Sequence, residues 1–240
     1  MKPELIVALD VESFDQARAL VDALGDSVDI FKVGPQMFTA YGPFVTRYVQ
    51  SKGKKVFLDL KFHDIPNTVA SAVKSAVALS VPPTKDKDFV PLFMLTVHTA
   101  GGKEMLEAAV KAAKEKAAEL KVQRPLIVGV TVLTSQAGDA NTAQTVLERA
   151  KLAKASGLDG VVASVEETAL LRKALGKDFI IVTPGIRSAG GDAGDQKRVA
   201  TPASAIKAGS NYLVVGRPIV KDKNPRQATQ DFLKECRFVC

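Results

Sequence analysis

The run KKVFLDLKFHDIPNT (residues 54–68) contains a short apolar segment, three charges at its far end and the start of a helix. VFLDL (56–60) lacks strict alternation of polar and apolar residues, so it reads as a strand buried on both faces, as parallel strands are. Asp59, Lys61 and Asp64 follow at spacings of two and three. These are side chains that resist burial, yet they sit where a buried strand ends. NTVASAVKSAVAL (67–79) then carries the apolar spacing of a helix.

The same unit recurs on both sides of this stretch. Apolar runs lie at LIVAL (5–9), IFKVG (30–34), LFMLTV (92–97), LIVGVTVL (126–133), GVVAS (160–164), FIIVT (179–183) and YLVVG (212–216). Helical patterns such as SFDQARALVDAL (13–24) and TAQTVLERAKLAKAS (142–156) separate them, with Ser13 as an N-cap and Gly25 as a C-cap of the first. Eight strand–helix units, averaging about thirty residues over the 240, predict a (β/α)8 TIM barrel of the α/β class. A doubly wound open sheet is the alternative, but no glycine fingerprint follows the first strand in LDVESFDQA. No linker divides the chain, so residues 1–240 are expected to form a single barrel domain. SVPPTKDKDFVP (80–91) reads as a polar surface loop between the third helix and the fourth strand.

Composition narrows the function classes. The net charge of +7 favours anionic partners, but the basic residues are spread along the chain without an Arg-rich tail or interleaved aromatics, which argues against nucleic acid. VKAAKEKAAELK (110–121) mixes Lys and Glu at helical spacing, the pattern of a solvated face. No run approaches the ~18 apolar residues of a membrane span. MKPELIVALD turns acidic too early for a signal peptide, and Cys236 and Cys240 read as thiols in a reducing compartment. The expected location is the cytoplasm.

In a barrel of this kind the C-terminal strand ends build the site. They carry Asp10, Lys32, Asp59 with Lys61, His98, Thr131 and Thr134, Ser164, Pro184 and Gly216. Asp59 and Lys61, two apart, are expected to leave the strand on one face and point into the barrel mouth, within reach of Lys32. Structural ion pairs closing the barrel top are the competing reading. Buried pairs are weak sources of stability, which favours a functional array of Lys32, Asp59, Lys61 and Asp64. Gly216 admits close backbone approach and Arg217 offers a forked donor suited to phosphate, unless it is an ordinary surface residue. TPGIRSAGGDAGDQKRVATP (183–202) has four glycines and reads either as a loop that closes over substrate or as a solvated one. His63 is expected to project away from Lys61 and pack behind the site. His98 is either a wall residue or a direct ligand. No set with convincing metal spacing and no Ser/His/Asp combination emerges.

These residues resemble the orotidine 5′-phosphate decarboxylase family. DLKFHDIPNT matches its signature D-x-K-x-x-D-I-x-x-T, a highly specific motif. Similar segments span nearly the whole chain: IVALD (6–10), FKVG (31–34), VTVLTS (130–135), TPGIR (183–187), DQKR (195–198) and VVGRPI (214–219). The long loop at 80–91 is the departure from the family pattern, and it lies away from the strand ends.

The resemblance implies a homodimeric enzyme, without metal or organic cofactor, that converts orotidine 5′-phosphate to UMP and carbon dioxide. It implies that Lys61 protonates C6, that Asp59 faces the substrate carboxylate between Lys32 and Lys61, and that Asp10 and Lys32 bind ribose hydroxyls. Asp64 and Thr68 would reach the neighbouring subunit's site. Thr134 would contact the pyrimidine, Arg217 and the Gly216 backbone would hold the phosphate with Gln196, and Arg187 would order the loop. Related phosphosugar barrels that use Mg²⁺ are the nearest rival, and they carry Glu in place of Lys32. A silent phosphate- or nucleotide-binding barrel is the rival of another class.

Overall fold

The computed structural model describes residues 3–83, 87–134, 141–188, 198 and 200–237. Eight parallel strands close into a barrel in chain order: β1 (Glu4–Ala8), β2 (Ile30–Val33), β3 (Lys55–Phe62), β4 (Met94–His98), β5 (Leu126–Val130), β6 (Gly160–Val162), β7 (Ile180–Thr183) and β8 (Tyr212–Val215). β1 pairs with β8 through Leu5↔Leu213 and Val7↔Val215, which completes the ring and leaves no sheet edge. This is the expected (β/α)8 architecture.

The absence of alternation in the strands has a direct cause. Ile6, Ala8, Ile30, Phe57, Met94, Val128, Val182 and Val214 fill the barrel interior. The intervening residues, such as Val7, Phe31, Leu58, Leu95, Ile127 and Ile181, form a second apolar layer beneath the helices. Each strand therefore needs apolar side chains on both faces. Phe31 and Phe57 are among the largest wholly buried side chains, and each contributes about 1.5–3 kcal/mol by leaving water.

Local chemistry sets the helix ends. Ser13 accepts the Gln16 N–H while the Gln16 side chain returns to the Ser13 N–H, so a capping box opens helix Phe14–Leu24. Thr201 caps Pro202–Ala208 at its start, and Gly209 ends it in the left-handed region at φ 103°. The strand ends differ from the apolar runs by one to three residues, and two of these shifts bear on the site. β5 stops at Val130 rather than running to 133, because the Thr131 hydroxyl donates to the Val162 carbonyl and Arg149 takes the Thr131 carbonyl. β3 runs on to Phe62, through an irregularity described below.

The described part of the 80–91 loop lies at the opposite end of the barrel from the strand C-termini. Gln50 donates to the carbonyls of Leu79 and Val90, and Ser80 accepts the Leu92 N–H. These bonds tie the loop to the base. Among the described residues no helix is long and apolar enough to cross a membrane.

Gly160 shows how tightly the barrel is closed. A β-carbon there would lie 2.3 Å from the Ile180 carbonyl oxygen, a backbone atom that cannot step aside. Gly160→Ala is expected to destabilise the fold by about 1–3 kcal/mol through overpacking, read as a lower urea midpoint at unchanged slope.

Candidate active site

The inward face of the barrel changes character within one pleat. On β1 the side chain beyond Ala8 is Asp10; on β2 Lys32 follows Ile30; on β3 Asp59 follows Phe57; on β4 Thr96 follows Met94. Two-residue periodicity therefore stacks a charged layer directly on an apolar one. The cavity above it has a volume of about 500 Å³, and its lining includes Asp10, Lys32, Asp59, Lys61, Thr134, Arg187, Gly216 and Arg217.

The charges form one connected chain. Lys32 Nζ lies 3.0 Å and 3.2 Å from the two Asp10 carboxylate oxygens and 3.7 Å from Asp59 Oδ2. Lys61 Nζ donates to the same Asp59 Oδ2 at 2.9 Å. The Thr96 hydroxyl donates to Asp59 Oδ1 at 3.0 Å. Lys32 and Asp59 are only 8% and 9% exposed, so each charge is offset by its neighbours more than by water. Burial pushes the Asp59 carboxyl up, but the Lys32 and Lys61 ammonium groups, with hydrogen bonds from Lys61 and Thr96, outweigh it and hold its pKa below the ordinary carboxylate value. Gly34 gives this chain room, since a β-carbon there would lie 3.0 Å from Asp10 Oδ1 and 3.1 Å from Lys32 Nζ.

Lys61 reaches the cavity by an irregular route. Its φ of 52° is left-handed, which a lysine rarely adopts outside turns. Between Leu58 and Phe62 the pairing of β3 with β4 shifts register. The expectation that His63 packs behind the site fails for this reason: the left-handed residue interrupts the alternation. His63 is exposed beyond the strand, its ring stacked on His98 with centroids 5.2 Å apart. His98 does not line the cavity. Its Nδ1 accepts the Ala100 N–H, and burial, helped by His63, Arg149 and Lys61, lowers its pKa.

The remaining sequence candidates divide. Thr131 and Ser164 serve the fold, through the Val162 carbonyl and as the N-cap of helix Val165–Leu175. Pro184 lines the cavity. Asp64 and Thr68 are exposed and do not line it; Asp64 Oδ1 accepts the Ile65 N–H at 2.6 Å, and Ile65 is 67% exposed. Gln196 lies outside the described residues, as does half of the 183–202 segment. Among the described residues no three His, Cys, Asp or Glu side chains converge as metal ligands.

Two features escaped sequence reasoning. Thr96 is one, hidden inside an apolar run. The other is a buried ion pair between Glu167 and Arg198, each 3% exposed. Arg198 also donates to the carbonyls of Val132 and Leu133, directly before Thr134 in the cavity wall. Burial raises the Glu167 pKa against the pull of Arg198.

A family model described as "Orotidine 5'-phosphate decarboxylase / HUMPS family" matches residues 3–232. A protein of Moorella thermoacetica named orotidine 5′-phosphate decarboxylase is 47% identical over 99% of this chain and 94% of its own length. One of Vibrio cholerae with the same name is 45% identical over 95% of this chain and 96% of its own. The crystal structure of orotidine 5′-phosphate decarboxylase from Lactobacillus acidophilus superposes with a TM-score of 0.81 at 35% identity, covering 98% of this chain and 99% of that one. The chain therefore belongs to the orotidine 5′-phosphate decarboxylase / HUMPS family.

Removing one member of a buried pair strands the other charge. Glu167→Ala is expected to lower stability by about 3–5 kcal/mol in urea titrations, against a near-neutral effect for the exposed Glu166→Ala.

Proposed function

We propose that the chain is an orotidine 5′-phosphate decarboxylase, a carboxy-lyase that forms UMP and carbon dioxide without metal or organic cofactor. The observation that carries this reading is the Lys32–Asp59–Lys61 array, two ammonium groups on one buried carboxylate at the floor of a cavity of about 500 Å³.

The chemistry needs such an array. When the bond from C6 to the carboxylate breaks, its electron pair stays in the plane of the pyrimidine ring, where the π system cannot delocalise it. A fixed ammonium stabilises that charge electrostatically. Lys61 then transfers a proton from Nζ to C6 over a short path. Asp59 orients both lysines and faces the departing carboxylate. Asp10 and Lys32 bind the ribose hydroxyls, Thr134 the pyrimidine, and Arg217 with the Gly216 backbone the phosphate. Gln196 assists at the phosphate and Arg187 orders the segment that carries it. Phosphate contacts remote from C6 supply binding free energy for closure.

Asp64 and Thr68 belong to the neighbouring site in a homodimer. Support comes from their exposure outside their own cavity, on either side of a turn that presents Ile65 to solvent. The family also contains the rival of this reading, the Mg²⁺-dependent phosphosugar barrels. Lys32 argues against them, because its ammonium lies where a divalent cation would need a carboxylate.

Loss of the orotidine 5′-phosphate absorbance on adding protein in EDTA tests the activity and its cofactor independence together. Lys61→Ala is expected to remain folded and to lose turnover by at least about a hundredfold, the lower range for a general acid. Near-normal turnover in the variant would remove Lys61 from the mechanism, and activity restored only by Mg²⁺ would move the assignment to the phosphosugar barrels.

The shared site gives a second expectation. Lys61→Ala and Asp64→Ala, each severely impaired alone, should complement when unfolded and refolded together. A mixed dimer places both defects in one site and neither in the other. With about half the dimers mixed, activity should recover to roughly a quarter of wild type. No recovery, with heterodimers confirmed by mass, would assign Asp64 to its own chain.

A further inference from the structure

Thr96 takes no part in the reading above, yet it touches both residues at the centre of it. Its side chain is wholly buried on the inward face of β4. The hydroxyl accepts the Lys61 backbone N–H at 2.8 Å and donates to Asp59 Oδ1 at 3.0 Å. An amide nitrogen can only donate and an ionised carboxylate can only accept, so both directions are fixed.

The surrounding backbone explains why a hydroxyl is needed there. Leu58 pairs with Leu95 and Phe62 pairs with Val97, so β3 takes four steps where β4 takes two. Asp59, Leu60 and Lys61 therefore bulge out of register opposite the single residue Thr96. The bulge gives Lys61 its left-handed φ of 52°, a conformation that persists only where its surroundings over-determine it. In a regular ladder a main-chain carbonyl of β4 would accept an amide of β3; here the Thr96 side chain stands in for it at Lys61.

We propose that Thr96 is a positioning residue: its hydroxyl clamps the bulge so that the Lys61 ammonium and the Asp59 carboxylate meet in the cavity. The proposal rests on the decarboxylase reading for its kinetic consequence and on geometry alone for the clamp. Thr96→Val keeps the shape and removes both hydrogen bonds. Thr96→Ser keeps both bonds and removes a methyl group.

The test measures kcat and KM for orotidine 5′-phosphate against pH in wild type and both variants, with UMP affinity by calorimetry. Thr96→Val is expected to lower kcat by at least about tenfold, as displacement of a reacting group does, with KM and UMP affinity held within about twofold. Thr96→Ser should stay within about threefold of wild type in every constant. The acid limb of kcat should also move. Asp59 is faced by Lys32 from β2, Lys61 from its own strand and Thr96 from β4, with Asp10 acting through Lys32. Losing the Thr96 donor weakens the charged form, so Asp59 takes up its proton at higher pH and the limb shifts upward.

An independent arm needs no turnover. The rate of Lys61 acetylation, followed by peptide mass in the protein without substrate, should rise in Thr96→Val and not in Thr96→Ser, because the released ammonium leaves its carboxylate. Should Thr96→Val fail to fold, Thr96→Ala is read in the same way. Unchanged kcat and unchanged labelling in the hydroxyl-free variant would overturn the clamp. So would equal losses in the serine and valine variants, which would mark Thr96 as packing alone. A wild-type protein without decarboxylase activity would sink the functional reading and leave the labelling result to judge the clamp.

Discussion

The barrel mouth depends on one carboxylate. Asp59 accepts from Lys61 and Thr96 and lies 3.7 Å from Lys32, which in turn is bound to Asp10. Lys32 and Asp59, both buried, lose several kcal/mol of hydration apiece, and their mutual attraction only offsets that loss. A left-handed lysine adds about 1–2 kcal/mol of backbone strain. None of this is needed to close the barrel, which is sealed below by apolar side chains and by the β1–β8 pairing. The array is a local weakness supported by a strong scaffold. That division suits a site that holds two ammonium groups in fixed positions around one carboxylate.

Much of this was legible in the sequence. Eight apolar runs without alternation announce strands covered on both sides, and the two apolar layers supply the reason. Asp10, Lys32, Asp59 and Lys61 stand out because each is a charge inside or just beyond such a run. Thr96 does not stand out, since threonine is at home within a strand and LFMLTV reads as core throughout. Glu167 and Arg198 are invisible as a pair for another reason. They lie 31 residues apart, and each resembles an ordinary solvated charge until the topology brings them together.

His63 marks where strand periodicity ceases to be a guide. Alternation assumes that every residue keeps an extended backbone, and one positive φ at Lys61 resets the count. The bulge lies beside the site, where a strand must give up regularity to aim a side chain. The 80–91 loop is the opposite case. Gln50 and Ser80 hold its described ends at the barrel base, far from the charged layer.

The bridge between Ile186 and Ala200 has a further consequence. Arg187 N–H bonds the Ala200 carbonyl and Ala200 N–H bonds the Gly185 carbonyl, while Arg198 is anchored through Glu167. Both ends of the intervening segment are therefore set by the barrel and not by the segment itself. With the ends fixed, the closure entropy of such a segment grows only slowly with its length. Insertions, deletions and exchanges between the two anchors need not be transmitted to the strands. The strands and the charged floor are thereby insulated from sequence change between the two anchors.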